Sequence, residues 1–145
     1  MATNPAVGTR TALTVTGLST LAAGTYVASS AYTANTNKPW DVIVEVDCAT
    51  TNTATGNKQV VVFVQESLDG TNFRSGPTSG TTTTDEPNLR LLGTIPMNSA
   101  STTEVGTFSV AGVLGYCPYA FKVVLKNDLG VALTSGTVFT SEISG

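Results

Sequence analysis

One stretch of this chain is written with a two-residue period, and that period restricts the fold more than any other feature. Across residues 40–48, Trp40, Val42, Val44, Val46 and Cys48 fall on one side of an extended backbone. Asp41, Glu45 and Asp47 fall on the other, interrupted only by Ile43. Successive strand side chains point to opposite faces, so this pattern predicts a strand with one apolar face and one wet face. Residues 58–66 are apolar on both faces, Val60, Val62 and Val64 against Val61 and Phe63, and predict an interior strand covered from both sides. No window of ten or more residues carries a sound helical period; the nearest, 114–121, is cut by Pro118.

Composition agrees with that reading. The 145 residues include 26 Thr and 17 Val but only 11 Leu and 4 Lys, a skew toward side chains that fit a pleated surface and away from helical bundles. Further strands are predicted at 11–18, 25–32, 89–95, 104–110, 120–126 and 138–143, which makes about eight. Turn signals separate them: Asp69-Gly70, Asp128-Leu129-Gly130 and Gly56-Asn57 supply positive φ at low cost. The six prolines fall at or outside the strand ends. Many short strands with regular turns predict an all-β fold, an antiparallel two-sheet β-sandwich of jelly-roll type. One such domain spans 9–145, preceded by an arm at 1–8. The stretches 50–57 and 75–87 read as polar surface loops, the second long enough to invite a functional role.

Several functions are excluded or weakened by what the chain lacks. It has no histidine, so no Ser-His-Asp or Cys-His arrangement and no histidine metal site can form within it. Seven Lys+Arg against ten Asp+Glu give a net charge of −3, which argues against phosphate neutralisation and hence against nucleic-acid binding. No apolar run approaches the length of a membrane span, and residues 1–20 show no signal-peptide pattern. No catalytic, cofactor-binding or metal residues are expected.

Five groups of residues stand out. Glu66, Asp69 and Asn72 offer oxygens to a cation, but EF-hand spacing is absent, and a plain turn at Asp69-Gly70 accounts for them. Asp41, Glu45 and Asp47 read as a solvated strand face rather than a carboxylate pair for hydrolysis. Asp85-Glu86 reads as exposed, with a basic partner as the other option. Cys48 and Cys117 are read as free, buried thiols. Tyr116 and Tyr119 are either an end-cap of the sandwich or an aromatic interface anchor. Met1, Ala2, Thr3, Asn4, Pro5, Ala6 and Val7 are small and carry one proline. They read as an interface arm that adds a strand to a neighbouring subunit.

Two segments carry a resemblance. The run 60–73 (VVVFVQESLDGTNF) resembles the valine-rich strand and Ser-x-Asp-Gly turn of small virion proteins of tailed bacteriophages. The run 121–137 (FKVVLKNDLGVALTSGT) is similar to their C-terminal strand pair. With low charge and abundant Thr and Val, the chain looks like a phage capsid decoration, or cement, protein. The resemblance implies a non-enzymatic virion protein that binds the outer capsid surface and bridges neighbouring major capsid protein subunits, as a dimer or trimer. It marks no individual contact residue, and the stretch 75–87 departs from the pattern. A tail-associated carbohydrate- or receptor-binding module is the alternative; it calls for exposed aromatics, for which Tyr116 and Tyr119 are candidates.

Overall fold

Eleven strands and one short helix form in the computed structural model, which describes residues 5–34 and 36–145. They are β1 (Ala6–Val7), β2 (Thr11–Leu13), β3 (Tyr26–Ala28), β4 (Tyr32–Thr33), β5 (Asp41–Ala49), β6 (Gln59–Ser67), β7 (Ser79–Gly80), β8 (Arg90–Pro96), β9 (Glu104–Ser109), α1 (Val110–Leu114), β10 (Ala120–Asp128) and β11 (Ser135–Ser144). All pairings are antiparallel. One sheet runs β1-β11-β5-β9, with β2 on the same edge of β11 as β1. The other runs β7-β3-β10-β6-β8, with β4 beside β3 along β10. Each of the eight predicted strands has a counterpart. Counting β1 with β2 and β3 with β4, and leaving β7 aside, the sheets read 1-8-3-6 and 2-7-4-5, an order compatible with the expected jelly roll.

The core lies between the sheets. Val42, Val44, Val46 and Cys48 of β5 face Val60, Val62 and Val64 of β6 and Phe121, Val123 and Leu125 of β10, all fully buried. Trp40 does not join them. The strand begins at Asp41, one residue later than the alternation implies, and Trp40 is 57% exposed with its N–H donating to Ile143 O at 2.8 Å.

Three expected strands break or end early, each for a local reason. After Leu13 the chain turns at Gly17 (φ +89°) into a 3-10 turn at Leu18–Thr20, which buries Leu18 on Gly136. A methyl group on Gly136 would come within 2.5 Å of Leu18 Cγ. Between β3 and β4, Ser29 replaces a ladder bond, its Oγ accepting from Val123 N at 2.9 Å and donating to Ser30 O at 2.7 Å. The strand expected at 104–110 stops at Ser109, whose Oγ caps α1 by accepting from Gly112 N at 2.8 Å. Five residues of helix are too few to leave a period in the sequence.

The stretch 75–87 is not simply a surface loop. β7 pairs with β3 within it, and a 3-10 turn at Glu86–Asn88 follows. Leu89 then packs with Tyr26, Phe63 and Val124 on the outer face of the second sheet, which explains why β6 and β10 are apolar on both faces. Gly76 (φ +152°) makes room: a side chain there would overlap Leu89. Glu86 is turned inward rather than offered to a basic partner. It accepts from Lys126 Nζ at 2.8 Å and from the Tyr26 hydroxyl, while Asp85 remains exposed.

Burial works to raise the Glu86 carboxyl, but Lys126 and Tyr26 outweigh it and hold the group below its ordinary value. A depressed folded value stabilises above the unfolded carboxylate range and is lost as pH falls through the folded one. The stability difference between about pH 7 and about pH 3 is therefore expected to be smaller in Glu86→Gln than in the parent, as read by urea denaturation at both values. An unchanged difference would remove Glu86 from the acid response.

Candidate functional site

The strand directions bring five distant segments to one end of the sandwich: residues 36–40 before β5, the turn after β6, α1 with residues 115–119 before β10, and the outer ends of β1 and β11. Among the described residues, seven large apolar side chains are exposed, and five of them sit at this end: Val7, Trp40, Leu68, Tyr116 and Tyr119. The opposite end, built from 50–58, 97–103 and 129–134, holds none of the seven and is rich in Thr, Asn and Ser. The exposed large apolar side chains are thus unevenly distributed between the two ends.

Local chemistry fixes each element. In the turn after β6, Asp69 Oδ1 accepts from Thr71 N at 2.8 Å and Asn72 N at 2.7 Å, and Oδ2 accepts from Asn72 Nδ2 at 2.6 Å. The N–H and side-chain amide of Asn72, with the N–H of Thr71, hold the Asp69 carboxyl far below the carboxylate range. These are the bonds of a turn, and they use the oxygens that a cation would need. Gly70 (φ +77°) lets Tyr119 lie against the backbone; a Cβ there would stand 3.0 Å from Tyr119 Cε1. Leu68 is left projecting from the turn, 78% exposed.

Across the end, Asp41 holds α1. Its Oδ1 accepts from Ala111 N at 2.7 Å and its Oδ2 accepts from the Ser109 hydroxyl. Gly115 (φ +83°) ends the helix, and Tyr116 to Tyr119 follow directly. Tyr116 and Tyr119 are 44% and 40% exposed, so neither is a buried end-cap.

Asp41 is therefore a structural cap rather than part of a solvated face. Glu45 and Asp47 are also engaged. Arg10 Nη2 reaches Glu45 Oε1 at 2.7 Å and Asp47 Oδ2 at 3.1 Å, with its guanidinium 3.3 Å from the Phe139 ring centroid. The hydrogen bond from Arg10 pulls the Glu45 carboxyl down; burial, with Glu45 beside it, pushes Asp47 up.

Among the cavities at the apolar end, two border its exposed aromatic side chains. One of about 240 Å³ is lined by Pro39, Cys117, Pro118 and Tyr119 among others. The other, of about 490 Å³, lies between Leu68 and Tyr116 with Glu66 and Arg74 on its wall. Glu66 shares the inner-face phase of Val60, Val62 and Val64 and pairs across the ladder with Phe121. Arg74 Nε donates to its Oε1 at 2.6 Å, and Gln65 Nε2 donates to Arg74 O at 2.6 Å.

Cys48 and Cys117 are both free, in different places. Cys48 is fully buried with its Sγ 3.5 Å from Met97 Sδ, and burial, with Asp47 and Glu104 nearby, pushes its thiol up to about 12. Cys117 is only half-buried, not buried as expected, because it lies in the segment leaving α1; burial and then Asp41 and Glu142 raise it more mildly. A thiol reagent is thus expected to modify one cysteine per native chain, Cys117, and two after denaturation, counted by mass spectrometry. Two fast-reacting thiols in the native protein would contradict the core position of Cys48.

Of the expected interface residues, Met1, Ala2, Thr3 and Asn4 lie outside the described residues. Pro5 is exposed, and Ala6 and Val7 form β1. Ala6 pairs with Ser144 and Val7 with Ile143, so these two residues add a short strand to the edge of this chain's own sheet. Tyr116 and Tyr119 come together with Trp40 and Leu68, which sequence reasoning did not place at an interface. Glu66 was legible as a carboxylate in the apolar phase of a strand, a signal that marks a special position. No helix among the described residues is long and apolar enough to cross a membrane. No family model and no curated protein matches the chain.

Proposed function

We propose that this chain is a non-enzymatic structural protein of a tailed-phage virion. It attaches by its apolar end to the outer surface of the assembled capsid and stabilises the shell by bridging major capsid protein subunits. The observation that carries the reading is the gathering of Val7, Trp40, Leu68, Tyr116 and Tyr119 at one pole, with the opposite pole polar. Burying such side chains favours docking without stripping water from many charges, of which the chain has few. Repetition over a symmetric shell multiplies weak contacts, and a homodimer or homotrimer bridges adjacent sites. On this reading the protein is made in the host bacterial cytoplasm and resides on the virion, with no need of nucleic acid, membrane or cofactor. The resemblance of 60–73 and 121–137 to virion proteins points the same way.

Co-sedimentation with expanded capsids tests it. Trp40→Ser with Tyr119→Ser is expected to weaken binding by about 100-fold or more, since exposed aromatic anchors commonly carry about 2 kcal/mol each at interfaces. Undiminished binding by the folded double variant would sink the assignment of this end.

A second reading, a tail-associated module that binds carbohydrate or a receptor, is favoured by one observation: the cavity beside Tyr116, with a buried carboxylate on its wall.

A further inference from the structure

We propose that the first sheet runs on from one copy of this chain into the next, β9 of one protomer pairing antiparallel with β2 of its neighbour, so that copies join head to tail in a ring. The inference rests on the capsid-attachment reading for one element only, that all apolar poles face the same way. A sheet edge offers unpaired N–H and C=O groups to any further strand, and chains guard such edges with bulges, proline, basic residues or brevity. On the second sheet, β8 carries a register shift at Val62/Phe63, begins with Arg90 and ends with Pro96, and β7 has two residues. β9 is a six-residue edge with no proline, no basic residue and no shift in its register with β5. Val105 on it is 57% exposed.

The ladder fixes which backbone groups are free. Gly8 N donates to Glu142 O at 2.7 Å in the register of β1 with β11, so Glu142, Thr140 and Val138 turn their backbone groups toward β1 and β2. Trp40 N donates to Ile143 O, and Ile143, Ser141 and Phe139 turn toward β5. Carried on through β5, the same alternation turns Val44 and Val46 toward β9. Phe108 and Gly106 answer them, and the N–H and C=O of Val105 and Thr107 point out of the edge. At the other edge of the sheet, Ala12 points outward by the same rule. No backbone group elsewhere among the described residues bonds to these three.

The two edges fit each other. Ala12, Phe139, Glu45 and Thr107 form one row across the sheet, so its ends lie at one level. Three antiparallel steps separate β2 from β9, which therefore run in opposite directions. A copy set alongside, its apolar pole facing the same way, brings its Ala12 opposite Thr107 as an antiparallel pair with the free groups facing each other. Charge does not oppose the joint: Arg10 is turned to Glu45 and Asp47 of its own chain, and Glu104 of β9 meets no acid on β2. Pairing of β9 with β9 about a two-fold axis is the competing arrangement, and it sends the two poles in opposite directions. A contact between unlike edges, repeated by rotation, closes a ring.

Sedimentation equilibrium of the full chain without capsids, from about 10 µM to about 1 mM, tests the joint, which is a small interface. The parent is expected to exceed the mass of one chain. Thr107→Pro and Ala12→Pro each remove an outward N–H, a change that an edge strand tolerates, and each is expected to sediment as a monomer. Mixed in equal amounts they keep one intact joint, β9 of the Ala12 variant with β2 of the Thr107 variant, and are expected to form a species of two chains. Amide exchange in the parent needs no variant: the N–H groups of Thr107 and Ala12 are expected to slow about tenfold between the lowest and highest concentration, with Gly106 unchanged. A parent that stays monomeric, an oligomer that survives both substitutions, or a mixture that stays monomeric overturns the proposal. Dissociation by Thr107→Pro alone would establish the two-fold β9 pair instead. A ring that fails to co-sediment with capsids would sink the attachment reading and leave the joint in place.

Discussion

Replacing Asn127 by alanine is expected to destabilise the protein by about 2–4 kcal/mol, because Leu129 N and Val131 O lose the partner Asn127 gives them, at about 1–3 kcal/mol each, while Leu21 O keeps Leu133 N. Asn127 is fully buried near the end of β10, opposite the apolar pole. Its Nδ2 donates to Leu21 O and to Val131 O, both at 2.8 Å, and its Oδ1 accepts from Leu129 N at 2.9 Å. It thus ties the segment before β3 to the turn before β11, and it seats Leu129, which is fully buried. Gly130 (φ +76°) completes the turn against Gly56, whose N–H, like that of Thr55, donates to Leu129 O at 2.9 Å. Asn127→Asp should be at least as damaging, since it sets a carboxylate oxygen against the two carbonyls that the amide satisfied. Asn57→Ala is the control. Asn57 also donates from its side-chain amide, to Asp128 Oδ2 at 2.7 Å, but at an exposed site. It should cost less than about 1 kcal/mol. Urea midpoints at constant m-value give the comparison; an Asn127→Ala loss within about 1 kcal/mol would mean that water replaces the amide.

The distribution of surprises along the chain has a physical pattern. β5 was legible because a two-residue period sustained over nine residues marks one buried face, and β6 because a valine-rich run apolar on both faces marks an interior strand; the burial of Val42, Val44, Val46, Val60, Val62 and Val64 follows. The start of β5 was not legible. Alternation marks faces, not ends, so Trp40 was carried inward with its neighbours although the strand begins after it. The helix α1 was hidden because five residues have no periodicity of their own, and because its local cap, Ser109, is backed by Asp41, some seventy positions away in sequence. The lid formed by 75–89 was hidden for the same reason: only Leu89 among these polar residues enters the core, and its partners Tyr26, Phe63 and Val124 are all long-range. The two tyrosines were identified as interface candidates from their type alone. Their company, Trp40 and Leu68, depends on strand directions that no local pattern encodes.

Phe121→Ala is expected to cost about 3–5 kcal/mol, the usual range for removing a fully buried phenylalanine, and with it to weaken attachment at the apolar pole. Phe121 is fully buried on the inner face of β10 and sits in the middle of a row, with Tyr32 of β4 on one side and Glu66 of β6 on the other. Its ring is 4.9 Å from that of Tyr32, and the Tyr32 hydroxyl crosses to Glu142 of β11, which Asn37 Nδ2 also approaches at 2.8 Å. This row is the floor beneath residues 36–40, 67–73 and 115–119. A hole in the floor frees Tyr32 to leave Glu142 and loosens the segments that present Trp40, Leu68, Tyr116 and Tyr119. Loss of about 3–5 kcal/mol in a domain of this size should lower the melting temperature by roughly 10 °C or more. Leu129→Ala separates the two effects. It removes a fully buried side chain at the other pole, so its stability should fall by an amount of the same order, about 2–5 kcal/mol, with capsid binding unchanged at temperatures where both variants are folded. Equal binding by the two variants would show that the apolar pole keeps its form without Phe121, and that the docking side chains are held by their own turns rather than by the floor.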